Sequence, residues 1–141
     1  MIDLLEVNPF QKTHIKFLYE LLKKKEFNIS HEKLPSFEEH KTFVENNPYR
    51  KWYFLLRQKQ IMGSIYITNE NIIGINIPKA QTDEYFNSIK LILNKMNPLK
   101  PIKSVRSKNF CINVNPKNNG LIKALKMLDM ELIEQTYRVK E

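Results

Sequence analysis

Three groups of residues in this chain have types and spacings that suit chemistry. The first is Thr82-Asp83-Glu84-Tyr85-Phe86-Asn87, which follows the apolar run Ile72-Ile73-Gly74-Ile75-Asn76-Ile77 and opens a helix-like stretch. Between a strand and a helix, free backbone N–H groups and the helix dipole converge on an anion. This loop carries two carboxylates and no glycine. Acidic residues stabilise a helix N-terminus, so the same segment also reads as a cap, with Thr82 or Asp83 as the capping residue. The second group is His31 and His40. Either imidazole titrates near neutral pH and could serve as a base or touch a polar substrate. His40 also lies on an apolar stripe, where a hydrogen-bonded packing role suits it equally. The third group is Asn115 and Asn118, whose amides could meet a ligand or could form an Asx turn and cap the next helix. Trp52, Tyr53 and Tyr66 could line a pocket, or pair across strands as aromatics in sheets do.

Other chemistries lack their residues. A single cysteine, Cys111, forms no internal disulfide, and without clustered histidines it makes no metal ligand set. No Ser-His-Asp spacing or Walker loop stands out. The net charge of +8 favours anionic partners such as nucleotides or coenzyme phosphates. However, the densest basic run, Lys23-Lys24-Lys25, ends a helix and complements its dipole, and no RNP-type sequence is present. Nucleic acid is therefore not an expected partner. No segment reaches the roughly 18 apolar residues of a membrane span, and the N-terminus lacks a basic-then-apolar leader pattern. The expectation is a soluble, cytoplasmic protein. With 141 residues and 42% hydrophobic content, residues 1–141 suit a single domain with a real core.

Hydrophobic periodicity supplies the elements that must position these groups. Leu4, Leu5 and Val7 suggest a first strand, broken by Asn8-Pro9. Ile15, Leu18, Tyr19 and Leu22 recur at helical spacing within Thr13 to Lys25. Ser36 three residues before Glu39 is a capping-box pattern that starts a helix over Phe37 to Glu45. From Lys51 the period changes to that of strands: WYFLLRQ and IMGSIYIT form a hairpin, and IIGINI a further strand. A helix runs from the Thr82 loop to Met96, before Asn97-Pro98. Phe110, Ile112 and Val114 predict a strand, Leu121, Ile122, Leu125 and Leu128 a helix, and Leu132 to Val139 a last strand. The order β-α-α-β-β-β-α-β-α-β implies an α/β fold with one mixed, mostly antiparallel twisted sheet flanked by helices.

Three blocks of sequence, in order, carry a resemblance. "ISHEKLPSFEEHKTFV" and "PYRKWYFLLRQKQIMGSIYIT" are similar to the first half of bacterial amino-sugar N-acetyltransferases of the pseudaminic-acid type. "INVNPKNNGLIKALKMLDMELIEQTY" resembles the C-terminal signature of the GNAT superfamily of acetyl-CoA-dependent N-acetyltransferases. The resemblance implies a fourth strand with a bulge, splayed from the fifth, and acetyl-CoA as cosubstrate in the gap. Its pantetheine would pair with Ile75, Asn76 and Ile77. Its pyrophosphate would meet the loop of Thr82, Asp83, Glu84, Tyr85, Phe86 and Asn87, with Asn115 and Asn118 also on the coenzyme side. His31, His40, Trp52 and Tyr66 would face the acceptor, a small-molecule amine or an amino sugar attached to a nucleotide. The sequence departs from the family pattern at four places. Tyr85 and Asn87 stand at the two glycine-type positions of a degenerate pyrophosphate loop, Leu125 where a tyrosine commonly protonates the thiolate, and Ile72 where a glutamate often takes the amine's proton. The usual Gly-Phe after the last helix becomes Asp129-Met130. The alternative implied is an inactive ligand-binding or protein-binding module on the same fold.

Overall fold

The computed structural model describes residues 1–27 and 33–140. Its elements are β1 (Ile2–Glu6), α1 (Lys12–Lys23), α2 (Phe37–Glu45), β2 (Tyr49–Arg57), β3 (Gln60–Thr68), β4 (Ile72–Asn76), α3 (Thr82–Lys95), β5 (Cys111–Ile112) and α4 (Asn119–Met127). The strands lie side by side in chain order. Strands β1 to β4 are antiparallel, β1 and β2 across the two helices between them and the others through short turns, whereas β5 returns through α3 and runs parallel to β4.

Alternation along the strands splits the core into two layers. Leu55, Ile65, Ile67 and Ile73 pack with Ile89 and Ile92 of α3 and with Leu121 and Ala124 of α4. On the opposite face Phe54 packs with Val7, Ile15, Leu18 and Leu21 and with Val44 of α2. Phe54 is fully buried, which contributes on the order of 1.5–3 kcal/mol. The capping box of α2 forms as its sequence implies: Ser36 Oγ accepts from Glu39 N–H, and the Glu39 carboxylate accepts from Ser36 N–H, both at 3.1 Å.

Several boundaries differ from the sequence expectation. The cap of α3 is Gln81 rather than Thr82 or Asp83, because the Glu84 carboxylate folds back to accept the Gln81 N–H at 2.7 Å. The ladder between β3 and β4 runs without a register break, so the implied bulge in β4 is absent; irregularities fall in β2 instead. The strand expected over Phe110 to Val114 shortens to two residues. The last strand, expected over Leu132 to Val139, does not form. A strand requires a ladder partner, and residues 131–140 are all exposed, with Leu132, Tyr137 and Val139 at 77%, 89% and 88%.

A candidate coenzyme gap between β4 and β5

One asparagine fixes where β5 starts. Asn71 is fully buried, with φ 65°, a conformation asparagine tolerates better than most residues. Its Nδ2 donates to the carbonyls of Leu99 and Ser107 at 2.8 and 2.9 Å, and its Oδ1 accepts Leu99 N–H at 2.8 Å. Its own carbonyl accepts Cys111 N–H at 2.9 Å. These bonds pin the long α3–β5 connection to one end of β4. Only Ile72 and Ile73 then pair with Cys111 and Ile112. Beyond that point no ladder pairing joins the two strands. Odd-numbered residues of β4 face β5, so alternation turns the N–H and C=O groups of Ile75 and Ile77 into the gap. Among the described residues, no protein group takes up the backbone of Ile77. Asn76 turns the other way and uses its side chain to hold α1, Nδ2 donating to Leu21 C=O at 3.0 Å.

At the C-terminal ends of the two strands, the N-termini of α3 and α4 meet. Tyr85 points inward and is 5% exposed. Its phenol oxygen accepts from Asn118 Nδ2 at 3.3 Å, while Asn118 Oδ1 caps α4 by accepting Leu121 N–H at 3.2 Å. Burial pushes the Tyr85 phenol above its ordinary pKa; the Asn118 bond opposes this, and the carboxylates of Glu26 and Glu84 add to it. Thr82 lies beside Gly120, between the two helices. Asn115 forms an Asx turn, its Oδ1 accepting Lys117 N–H at 2.9 Å.

The loop that could cradle an anion already holds carboxylates of its own. Lys79 N–H donates to the Glu26 carboxylate, and Gln81 N–H to that of Glu84. Glu84 also meets Arg57 at 3.0 Å. Two backbone donors just ahead of α3, those of Lys79 and Gln81, are thus engaged by carboxylates. Asp83 and Asn87 are exposed on this end, and Phe86 is half-buried beneath Lys90. Ile72 and Leu125, at the positions where the family pattern has a base and an acid, carry no titratable group.

The remaining residues singled out in the sequence fall elsewhere. His31 lies outside the described residues. His40 is buried in the α1/α2 layer, with Nε2 3.0 Å from the Ile15 carbonyl. Desolvation lowers its pKa, and the carbonyl partly offsets this. Tyr66 stacks on Tyr49 with centroids 4.0 Å apart, and Trp52 stands edge-on to Tyr49. Trp52 Nε1 is buried and has no hydrogen-bond partner. Sequence reading missed Asn71, Arg57 and Glu26. For Asn71 the signal was an asparagine just ahead of a strand. For Glu26 there was none, since it meets Lys79 from 53 residues away.

The arrangement has counterparts among solved structures. The chain aligns over its whole length with a "possible acetyltransferase" from Clostridium difficile 630, covering 98% of that chain at 17% identity with a TM-score of 0.54. It aligns equally fully with AAC(6')-Iy in complex with the bisubstrate analogue CoA-S-monomethyl-acetylneamine, covering 98% of that chain at 12% identity with a TM-score of 0.58. The fold is that of the GNAT acetyltransferases. No protein-family model and no curated protein matches the sequence. In a GNAT fold, the parted ends of β4 and β5 are the natural place to look for a ligand, since crevices at the carboxyl ends of parallel strands expose backbone groups. A shallow surface depression of about 600 Å³ lies elsewhere, lined by Glu6, Arg50, Lys51, Tyr53 and Lys95.

Proposed function

We propose that this protein is an acetyl-CoA-dependent N-acetyltransferase acting on a primary amine of a small molecule, with an amino sugar attached to a nucleotide as the acceptor class. The observation that carries the reading is that β4–β5 pairing stops after Ile73, which by strand alternation leaves the backbone of Ile75 and Ile77 without a ladder partner on the β5 side. Those N–H and C=O groups suit the amides of an extended pantetheine, which pairs as an added strand. AAC(6')-Iy, whose fold this chain shares, is known bound to an analogue that contains CoA.

The residues fit the two ends of the coenzyme unequally. Ile75 and Ile77 present free backbone groups to the pantetheine end. At the pyrophosphate end, Lys79 and Gln81 donate to Glu26 and Glu84, so anion binding must displace or tolerate like charge. The thioester supplies an acyl group with a good leaving thiolate. Positioning of the amine against it supplies much of the rate even where Ile72 and Leu125 move no proton. Tyr85 accepts from Asn118 and keeps its own proton, so it can donate a hydrogen bond at the meeting point of α3 and α4. The second reading is a non-catalytic binding module on the GNAT fold, favoured by the engaged loop and the apolar Ile72 and Leu125.

Calorimetry with acetyl-CoA separates the two. Micromolar binding, about −8 kcal/mol, together with acetyl transfer to an amino sugar supports the enzyme. Absence of heat at millimolar acetyl-CoA, about −4 kcal/mol or weaker, refutes it in favour of the module.

A further inference from the structure

Charge is unevenly placed along this chain. From Tyr85 to Leu128 there are nine lysines and arginines and no aspartate or glutamate, so the stretch from α3 through α4 supplies the whole of the net charge of +8. Among the described residues, no carboxylate pairs with any of the nine; the ion pairs lie between Glu6 and Glu84 in the sequence. Lys100, Lys103, Arg106 and Lys108 fall within nine residues, in the connection from α3 to β5.

That connection is a braced turn. Ile102 N–H donates to Arg106 C=O at 3.0 Å, and Ile102 C=O accepts from Arg106 N–H at 2.8 Å and from Val105 N–H at 3.0 Å. The Arg106 guanidinium closes the base, Nε donating to Lys100 C=O at 2.6 Å and Nη1 to Asn69 C=O at 2.9 Å. Asn71 holds both flanks through the carbonyls of Leu99 and Ser107. A turn closed in this way brings the Cα atoms of Ile102 and Val105 within about 7 Å of each other. Both side chains stand in water, 46% and 63% exposed. A lone exposed aliphatic is ordinary. Here two are held out together on one fixed turn, and Lys100, Lys103 and Lys108 are exposed on the same turn and its flanks.

We propose that the turn from Lys100 to Lys108 docks the protein on an anionic lipid bilayer, with Ile102 and Val105 entering the headgroup region and Lys100, Lys103 and Lys108 meeting lipid phosphates. Aliphatic tips gain by leaving water at the acyl boundary, while ammonium groups on long stems reach back to the phosphates. Binding strength scales with the apolar area inserted plus the attraction between cations and anionic lipids, and the turn supplies both. Its hydrogen bonds are made before docking, so little conformational entropy is lost on contact. Nucleic acid would use only the charge. Residues Leu99 to Lys108 include no aromatic side chain on which a base could stack, and an aliphatic pair gains nothing against phosphate.

Co-sedimentation of the full chain with sucrose-loaded vesicles tests this. The protein should pellet with vesicles of equimolar phosphatidylglycerol and phosphatidylcholine and stay in solution with phosphatidylcholine alone. Each lysine at the surface strengthens binding roughly fivefold, so Lys100→Gln/Lys103→Gln/Lys108→Gln should weaken it about a hundredfold. Ile102→Ser/Val105→Ser keeps every charge and should weaken it by about fivefold or more. Val105→Ser alone, at the more exposed site, should act in the same direction and guards against a loss of folding in the double variant. Val105→Trp should emit at shorter wavelength on the anionic vesicles, beyond any change in the wild type, because the added indole enters the interface. A wild type that stays in solution with anionic vesicles at low salt overturns the proposal. Binding that falls with the lysines but not with the serine variants overturns it as well, and tight binding of a single-stranded RNA by the same samples then identifies nucleic acid as the partner of this charge.

Discussion

Glu84 offers the sharpest perturbation, because its carboxylate does three things at once. It accepts Gln81 N–H at 2.7 Å, pairs with Arg57 at 3.0 Å, and places negative charge at the start of α3. Glu84→Gln keeps an acceptor for the cap, since glutamine serves at this position of a capping box. It loses the charge, so the cost is that of a half-exposed ion pair, about 0.5 kcal/mol, plus about 0.5 kcal/mol of dipole interaction. Glu84→Ala loses the cap bond too, for a total of about 2 kcal/mol. At roughly 3 °C per kcal/mol for a chain of this size, Tm should fall by about 3 °C and about 6 °C respectively. Coenzyme binding should move the opposite way. Removing one unit charge about 4 Å from a phosphate gains about 1 kcal/mol even at the dielectric of water, or five- to tenfold in affinity, in both variants. Differential scanning calorimetry and titration with acetyl-CoA measure the two effects on the same samples. If acetyl-CoA binds the wild type more tightly than either variant, Glu84 does not compete with the coenzyme and the reading of this loop fails.

Three further outcomes follow from local geometry. His40 has a lowered pKa in the fold, so the unfolded chain binds more protons below pH 6.5; stability should be full above that value and decline as pH falls through it toward the folded pKa, and His40→Gln should flatten the slope in Tm measured from pH 7.5 to 5. A Cβ at Gly74 would lie 2.0 Å from Tyr66 Cζ, so Gly74→Ala forces the ring off its Tyr49 stack and should lower the urea midpoint by the equivalent of about 1–3 kcal/mol. The β2–β3 turn holds Gln58 and Lys59 at φ 51° and 64°, where a side chain is strained; Lys59→Gly should raise stability by about 0.5–1 kcal/mol, read by urea denaturation.

Local elements were legible because their causes are local. Ser36 and Glu39 form their capping box from residues three apart, and the alternation of Ile65 and Ile67 buries both on the face of β3 that meets α3 and α4. The reading of His40 as a packing residue and of Asn118 as a helix cap also came from position on a local element, and both contacts are present. What the sequence left open depends on partners distant along the chain. Tyr85 looked like bulk in the path of an anion, yet the α3–α4 packing turns it inward onto Asn118. Glu26, just past α1, meets Lys79 near where Asn76 ties Leu21 of α1 to β4. Leu132 to Val139 has strand character, but a strand exists only where a neighbouring edge completes its hydrogen bonds, and period alone supplies no such edge. The amino-acid order thus determined the helices, the strands and their buried faces, through propensity and period acting over a few residues. Tertiary packing alone decided the length of β5, the opening of the gap and the occupancy of its loop, because each is set by hydrogen bonds between segments far apart in sequence.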